Sequence, residues 1–160
     1  MVFGFGRSNA RQTVANAVAS AAVAAPLVPL PIRMTAELDK LAVKVRANGN
    51  DIPTAVYSKL RVIDDVLRSL LKYIASQGAS TEQEVFLENM VTKYVPDALD
   101  AYLNLSPADK GDTSDTAALL LKQYDTLELK ARDLANQVRT GAIAELSIQA
   151  TFIDEKFGHG

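Results

Sequence analysis

Residues 53–78 read PTAVYSKLRVIDDVLRSLLKYIASQG, and the spacing of their apolar side chains decides the fold class. Val56, Leu60, Ile63, Leu67, Leu70 and Ile74 step by 4, 3, 4, 3 and 4 residues. At 3.6 residues per turn that spacing lines one helix face, whereas a half-buried strand would alternate by twos. Pro53 suits the first turn of such a helix and Gly78 its C-cap. Arg61, Asp64, Asp65, Arg68 and Lys72 fall mainly toward water. Burying about six such side chains is worth on the order of 10 kcal/mol, before the ordering entropy is subtracted. One helix cannot cover its own stripe, so partner helices are required.

Downstream, Ser80 with Gln83 and Thr81 with Glu84 form two overlapping capping boxes above an acidic first turn. Leu87, Val91 and Tyr94 continue an apolar stripe. Pro96 must then kink or restart the helix, and Leu99, Tyr102 and Leu103 carry it on. Asn104–Ser114, with its Pro, Gly and Ser/Thr, reads as a loop in which Thr113 or Ser114 caps the next helix. Leu120, Tyr124, Leu127, Ala131, Leu134 and Val138 make a second heptad seam. Ala142, Leu146 and Ala150 then step by fours before Ile153 and Phe157, which is a stutter. A stutter keeps the seam on one side of a locally unwound helix, which predicts one continuous helix of roughly 40 residues. The alternative is a break at Gly141 that folds Ala142–Phe157 back.

Upstream, Thr35 can cap a short amphipathic helix with Leu38, Leu41, Ala42 and Val45 on one face and Lys40 and Lys44 on another, ended by Gly49. No alternating run of useful length and no long repeat occurs. The expected fold is all-α: an antiparallel helical bundle over residues 34–158 with a long C-terminal helix, preceded by an attachment segment, residues 1–33, made of an Ala-rich helix and a Pro-rich strap.

That first segment carries twenty-one consecutive uncharged residues, Gln12 to Ile32, between Arg7 and Arg11 on one side and Arg33 on the other. At helical rise it would cover about 30 Å, a bilayer core. Its composition opposes a span, being rich in alanine and interrupted by Asn16, Ser20, Pro26, Pro29 and Pro31. The prolines confine a helix to about Ser8–Ala25 and leave Pro26–Pro31 as an extended strap. Two readings lead: a small-residue helix packed on protein, and a segment on a membrane surface with Phe3 and Phe5 inserted and Arg7 and Arg11 at lipid phosphates. A secretory signal with an Ala22-Val23-Ala24 tripeptide and a true span rank behind them.

The chain has 160 residues, 48% apolar and 22% charged, as in an ordinary globular domain. Its net charge of −2 conceals an asymmetry: residues 1–80 hold ten Lys/Arg against five Asp/Glu, and residues 81–160 hold seven against fourteen. The halves therefore attract, most simply between neighbouring antiparallel helices. A basic N-terminal half facing an anionic surface is the alternative.

Catalytic chemistry finds little to stand on. Zero cysteines exclude thiolate nucleophiles and thiolate metal sites, and the one histidine, His159, lies between glycines at the C-terminus. Asp109, Asp112 and Asp115 lack calcium-loop spacing. Asp64 with Asp65 and Asp154 with Glu155 are sequence neighbours pointing apart on a helix. Asp97 and Asp100 share a face beside Tyr94, where acidic residues complement the helix dipole. A small hydrolase would need one of that pair in a deep polar pocket. Gly4 and Gly6 lack the rest of a phosphate loop, and no basic stripe with interleaved aromatics points to nucleic acid. No cofactor and no metal is expected.

Tyr94-Val95-Pro96 opening a helix with Tyr102, then a loop, then a long helix ending in Ala144-Glu145-Leu146 through Phe152-Ile153-Asp154, resembles the bacterial XpaC family, labelled bromo-chloroindolyl phosphate hydrolysis proteins, over about Thr92–Gly158. The resemblance implies a membrane-associated helical bundle and transfers no catalytic residue. The expectation is therefore a non-enzymatic scaffold or adaptor at the cytoplasmic membrane surface, in envelope stress or organisation. It would attach through Phe3, Phe5, Arg7, Arg11, Val14 and Val18. Its packing seams would comprise Leu60, Ile63, Leu67, Leu70, Tyr94, Tyr102, Tyr124, Leu127, Leu134 and Leu146. The alternative is a soluble interaction module that binds a protein partner or forms a homo-oligomer.

Overall fold

The computed structural model describes residues 27–157. They form α1 (Leu30–Ala47), α2 (Thr54–Gln77), α3 (Thr81–Asn89), a π turn (Met90–Tyr94), α4 (Val95–Leu103), a 3₁₀ turn (Pro107–Asp109) and α5 (Asp115–Phe157), with no strand among the described residues. The fold is all-α with a long C-terminal helix.

The helix ends follow local chemistry. Ser80 Oγ accepts from the Gln83 N–H at 3.1 Å while Gln83 Oε1 accepts from the Ser80 N–H at 2.9 Å, closing the first expected capping box. Ser114 Oγ accepts from the Ala117 N–H at 3.1 Å and caps α5. Gly78 ends α2 with φ +77°, a conformation costly for any side chain with a Cβ.

Two helix ends depart from expectation in α1. It begins at Leu30 rather than Thr35, because a proline in the first turn forfeits no hydrogen bond. The Ile32 and Arg33 N–H groups both donate to the Pro29 carbonyl, and Thr35 Oγ1 donates to the Pro31 carbonyl within the helix. The boundary expected between residues 33 and 34 thus falls inside α1, and the described part of the strap shortens to Leu27–Pro29. At the other end Asn48, not Gly49, is the C-cap, donating from both backbone and side chain to the Lys44 carbonyl.

Pro96 neither breaks nor sharply restarts its helix. The preceding turn widens to π, with the Val95 N–H donating to the Met90 carbonyl, and α3, the π turn and α4 run as one rod. A π turn inserts one residue into the helical phase. The stripe therefore passes from Leu87, Met90 and Val91 to Val95, Leu99 and Tyr102, all buried. Tyr94, expected on the seam, is rotated out to 45% exposure, where its ring meets the edge of Phe86 with centroids 6.5 Å apart.

Asp39 of α1 pairs with Arg68 of α2 at 2.8 Å, and the other ion pairs between helices join elements that do not follow one another in the chain. Arg33 pairs with Glu88 at 3.0 Å and Lys44 with Asp100, so α1 runs parallel to the α3–α4 rod. Lys59 bridges Asp125 at 2.9 Å and Glu128 at 2.7 Å, and Lys72 and Tyr73 face Arg139 across a groove, so α2 runs parallel to α5. Arg33, Lys44 and Lys59 thus set cations of the first half against anions of the second, between parallel rather than antiparallel neighbours.

The core joins all the helices. Leu60, Ile63, Leu67 and Leu70 of α2 are buried as expected, together with Tyr102, Tyr124 and Leu134, and Leu127 packs at its margin. Ala131 is fully buried, its small side chain letting α5 approach its neighbours closely. Tyr124 is fully buried, and its hydroxyl donates to the Val95 carbonyl at 2.7 Å.

Candidate functional site

Among the side chains described, Val138 is the last buried one of α5. The helix continues unbroken through Gly141, where an added Cβ would meet nothing within 4 Å. Beyond it Ile143 is 58%, Leu146 67% and Ile148 69% exposed. Among the described residues Leu146 is no seam residue, because α2 ends at Gln77, short of its level. Residues 141–157 of α5 extend about 25 Å at helical rise. Ile143, Leu146 and Ile148 leave this length with exposed aliphatic surface of the kind that a partner covers.

The start of α1 lies at the same pole. Leu27, Val28 and Ile32 are exposed there, while Leu30 is buried and the Leu27–Arg33 stretch borders Ile74, Ala75 and Glu84. A second apolar groove, lined by Val28, Ile32, Met34 and Ala36, ends on Glu88 and Thr92. The chain therefore enters the packed body beside the end of α2, the level at which α5 leaves it. Among the described residues, Leu27, Val28 and Ile32 are exposed around the start of α1, and Ile143, Leu146 and Ile148 are exposed on α5 past the level where α2 ends. Val43, Val85, Leu119 and Leu129 are exposed singly elsewhere, as on any protein surface.

The expected attachment residues Phe3, Phe5, Arg7, Arg11, Val14 and Val18 lie outside the described residues, as does His159. Ile143, Ile148, Leu27, Val28 and Ile32 do not stand out in the sequence. The available signal is their position off the heptad, which leaves a helix apolar on more than one side.

The acidic residues occupy structural posts. Asp109 accepts from Ser106 Oγ at 2.8 Å, and Asp112 from Thr54 Oγ1 at 3.2 Å. Asp97 is exposed and Asp100 pairs with Lys44, so neither occupies the deep polar pocket that a hydrolase would need. Among the described residues no group of three or more His, Cys, Asp or Glu is placed to hold a metal ion. A groove of about 820 Å³ between α2 and α5 presents Asp65, Ser69, Lys72, Arg132 and Arg139.

Three titrating groups on or against α5 depart from their ordinary values through packing. The hydrogen bond from Lys59, then that from Arg132, holds the Glu128 carboxyl below the usual carboxylate range. Hydrogen bonds to Glu128 and Asp125 raise the Lys59 ammonium, and burial raises the Tyr124 phenol. All three lie in helix-to-helix contacts rather than in a cleft, so they serve the fold.

Among the described residues no helix is long and apolar enough to cross a membrane. No protein-family model matches the chain, and no curated protein and no solved structure matches it either.

Proposed function

We propose that this chain is a non-enzymatic helical adaptor whose packed body presents an attachment pole at the cytoplasmic face of a membrane, with the N-terminal segment as the contacting element. The observation that carries the reading is the exposure of Leu27, Val28 and Ile32 where α1 begins, continuous in sequence with the charge-free stretch. Side chains of this kind gain from an interfacial environment, and Arg7 and Arg11 supply the attraction to anionic headgroups.

Sedimentation with phosphatidylglycerol vesicles tests it. The full chain pellets at low salt, and Phe3→Ser with Phe5→Ser lowers the pelleted fraction several-fold without changing thermal unfolding. Equal, negligible pelleting of both chains refutes membrane attachment.

A second reading, assembly with a helical protein partner or with another copy, is favoured by Ile143, Leu146 and Ile148 on the projecting part of α5. It requires a mass that rises with concentration in light scattering, or a helical partner, and loss of either in Leu146→Glu.

A further inference from the structure

The groove between α2 and α5 combines an aliphatic floor with cations on both rims. Val62, Val66 and Ala135 line it above the buried Leu70, with the half-buried Tyr73 beside them. We infer that this groove takes an acidic amphipathic helix of a protein partner, one that carries a carboxylate on each side of a short aliphatic stripe. The inference draws on neither the start of α1 nor Leu146.

Charge is placed unevenly along the groove. α2 and α5 are parallel, and Lys59 fixes their register by bridging Asp125 and Glu128. Six residues further along both helices, Asp65 stands at the level of Arg132; thirteen further, Lys72 stands at the level of Arg139. Arg132 already donates from Nε to Glu128 Oε2 at 3.0 Å. Lys72 and Arg139 are exposed, and among the described residues neither makes an ion pair. Two like charges at one level repel, and anions set between them relieve that repulsion. Because Lys72 belongs to α2 and Arg139 to α5, the partner's carboxylates must flank its stripe on both sides at this end. The Asp65 end suits a neutral or basic side chain.

Shape selects a helix as the occupant. The groove runs along α2 from Val62 to Tyr73, about 16 Å at helical rise, which is about three turns. Side chains at i, i+3 or i+4 and i+7 of a docked helix line one face over that length and can cover Val62, Val66 and Ala135. A bilayer surface is too flat to enter a groove between two helices, and a lone small anion would leave the floor uncovered. Nucleic acid is disfavoured by Asp65 among the cations and by the single aromatic ring, Tyr73.

Fluorescence anisotropy on the full chain tests the proposal with a stapled helical peptide of about three turns, bearing a Leu stripe flanked by Glu. A second peptide has Lys in place of each Glu. The acidic peptide should bind the parent saturably, and Lys72→Glu with Arg139→Glu should weaken it at least roughly tenfold while thermal unfolding stays unchanged. The Lys peptide should gain affinity on that same variant. Val62→Ser, at a position 37% exposed, should weaken the acidic peptide severalfold through the floor. Arg46→Glu with Arg61→Glu makes the same change of net charge at exposed residues outside the groove and should leave binding as it was.

Absence of saturable binding overturns the proposal, as does equal weakening by the two charge-reversal pairs, which would show attraction to net charge alone. If Lys72→Glu with Arg139→Glu lowers pelleting with phosphatidylglycerol vesicles yet leaves the acidic peptide bound, the groove is a lipid contact and the proposal also fails. Peptide binding by a chain that never pellets upholds the groove and refutes membrane attachment, so the two readings fail separately.

Discussion

The buried Tyr124 hydroxyl of α5 donates to the Val95 carbonyl at 2.7 Å, on the residue immediately after the π turn. The bond ties the long helix to the rod where its phase changes. Tyr124→Phe keeps the ring and loses this bond, and it should cost about 1 kcal/mol in urea unfolding. Tyr124→Ala also opens a cavity and should cost about 3–5 kcal/mol.

The same phenol predicts an alkaline limb. Its folded pKa lies above the ordinary value of 10.0, chiefly through burial, so the native state holds the proton more tightly than the unfolded chain. The resulting stability is fully present below pH 10 and declines as pH rises beyond it. Unfolding free energy measured from pH 9 to 11 should fall less steeply in Tyr124→Phe, and parallel curves for the two proteins would refute the assignment.

Glu128 predicts the acid limb with the opposite sign. Its folded pKa is depressed by Lys59 and Arg132, so its contribution is present above the ordinary value of 4.5 and is lost as pH falls through the folded value. Glu128→Gln should be less stable than the parent at pH 7, and the difference should close in strong acid. A difference constant with pH would show that packing, not charge, carries it.

Neighbouring substitutions separate the phase shift from an uninterrupted heptad. Val95→Ala, at a position 1% exposed, should cost about 2 kcal/mol. Tyr94→Ala, at a half-exposed position with only an edge contact to Phe86, should cost less than about 1 kcal/mol. The reverse ranking in thermal or urea unfolding would restore Tyr94 to the seam.

Gly141 offers a lever on the projecting helix alone. With open space around its Cβ position, Gly141→Ala should stabilise that helix by up to about 1 kcal/mol, read as slower amide exchange over residues 142–151. Gly141→Pro should disrupt it while leaving exchange in α2 as it was.

Much of this architecture was legible in the sequence because local rules and packing agreed there. The spacing from Val56 to Ile74, the Ser80–Gln83 box, the Gly78 cap and the continuity of the last helix all emerged as read. The failures share one cause: a helical pattern states which side is apolar but not the phase or the extent of cover. A π turn ahead of Pro96 exchanged Tyr94 for Val95, since a heptad reading assumes one fixed period. Leu146 continued the apolar spacing, yet its burial depends on how far α2 reaches, and α2 stops at Gln77. Thr35 looked like a cap, but Pro31 tolerates the first turn and moves the helix start upstream.

Placing the start of α1 and the departure of α5 at one pole also sets how the molecule bears tension. A force applied between the two termini would act on both helices from that pole, peeling them off turn by turn. Contacts would open in sequence from Leu30 and from Val138 inward, so few would resist at any instant. The far pole, with the Asn48–Ile52 turn and the Asn104–Ser114 loop held by the Tyr102 hydroxyl on the Gly111 N–H, would carry load last. A body tethered through its termini would thus yield gradually, from the tethered side.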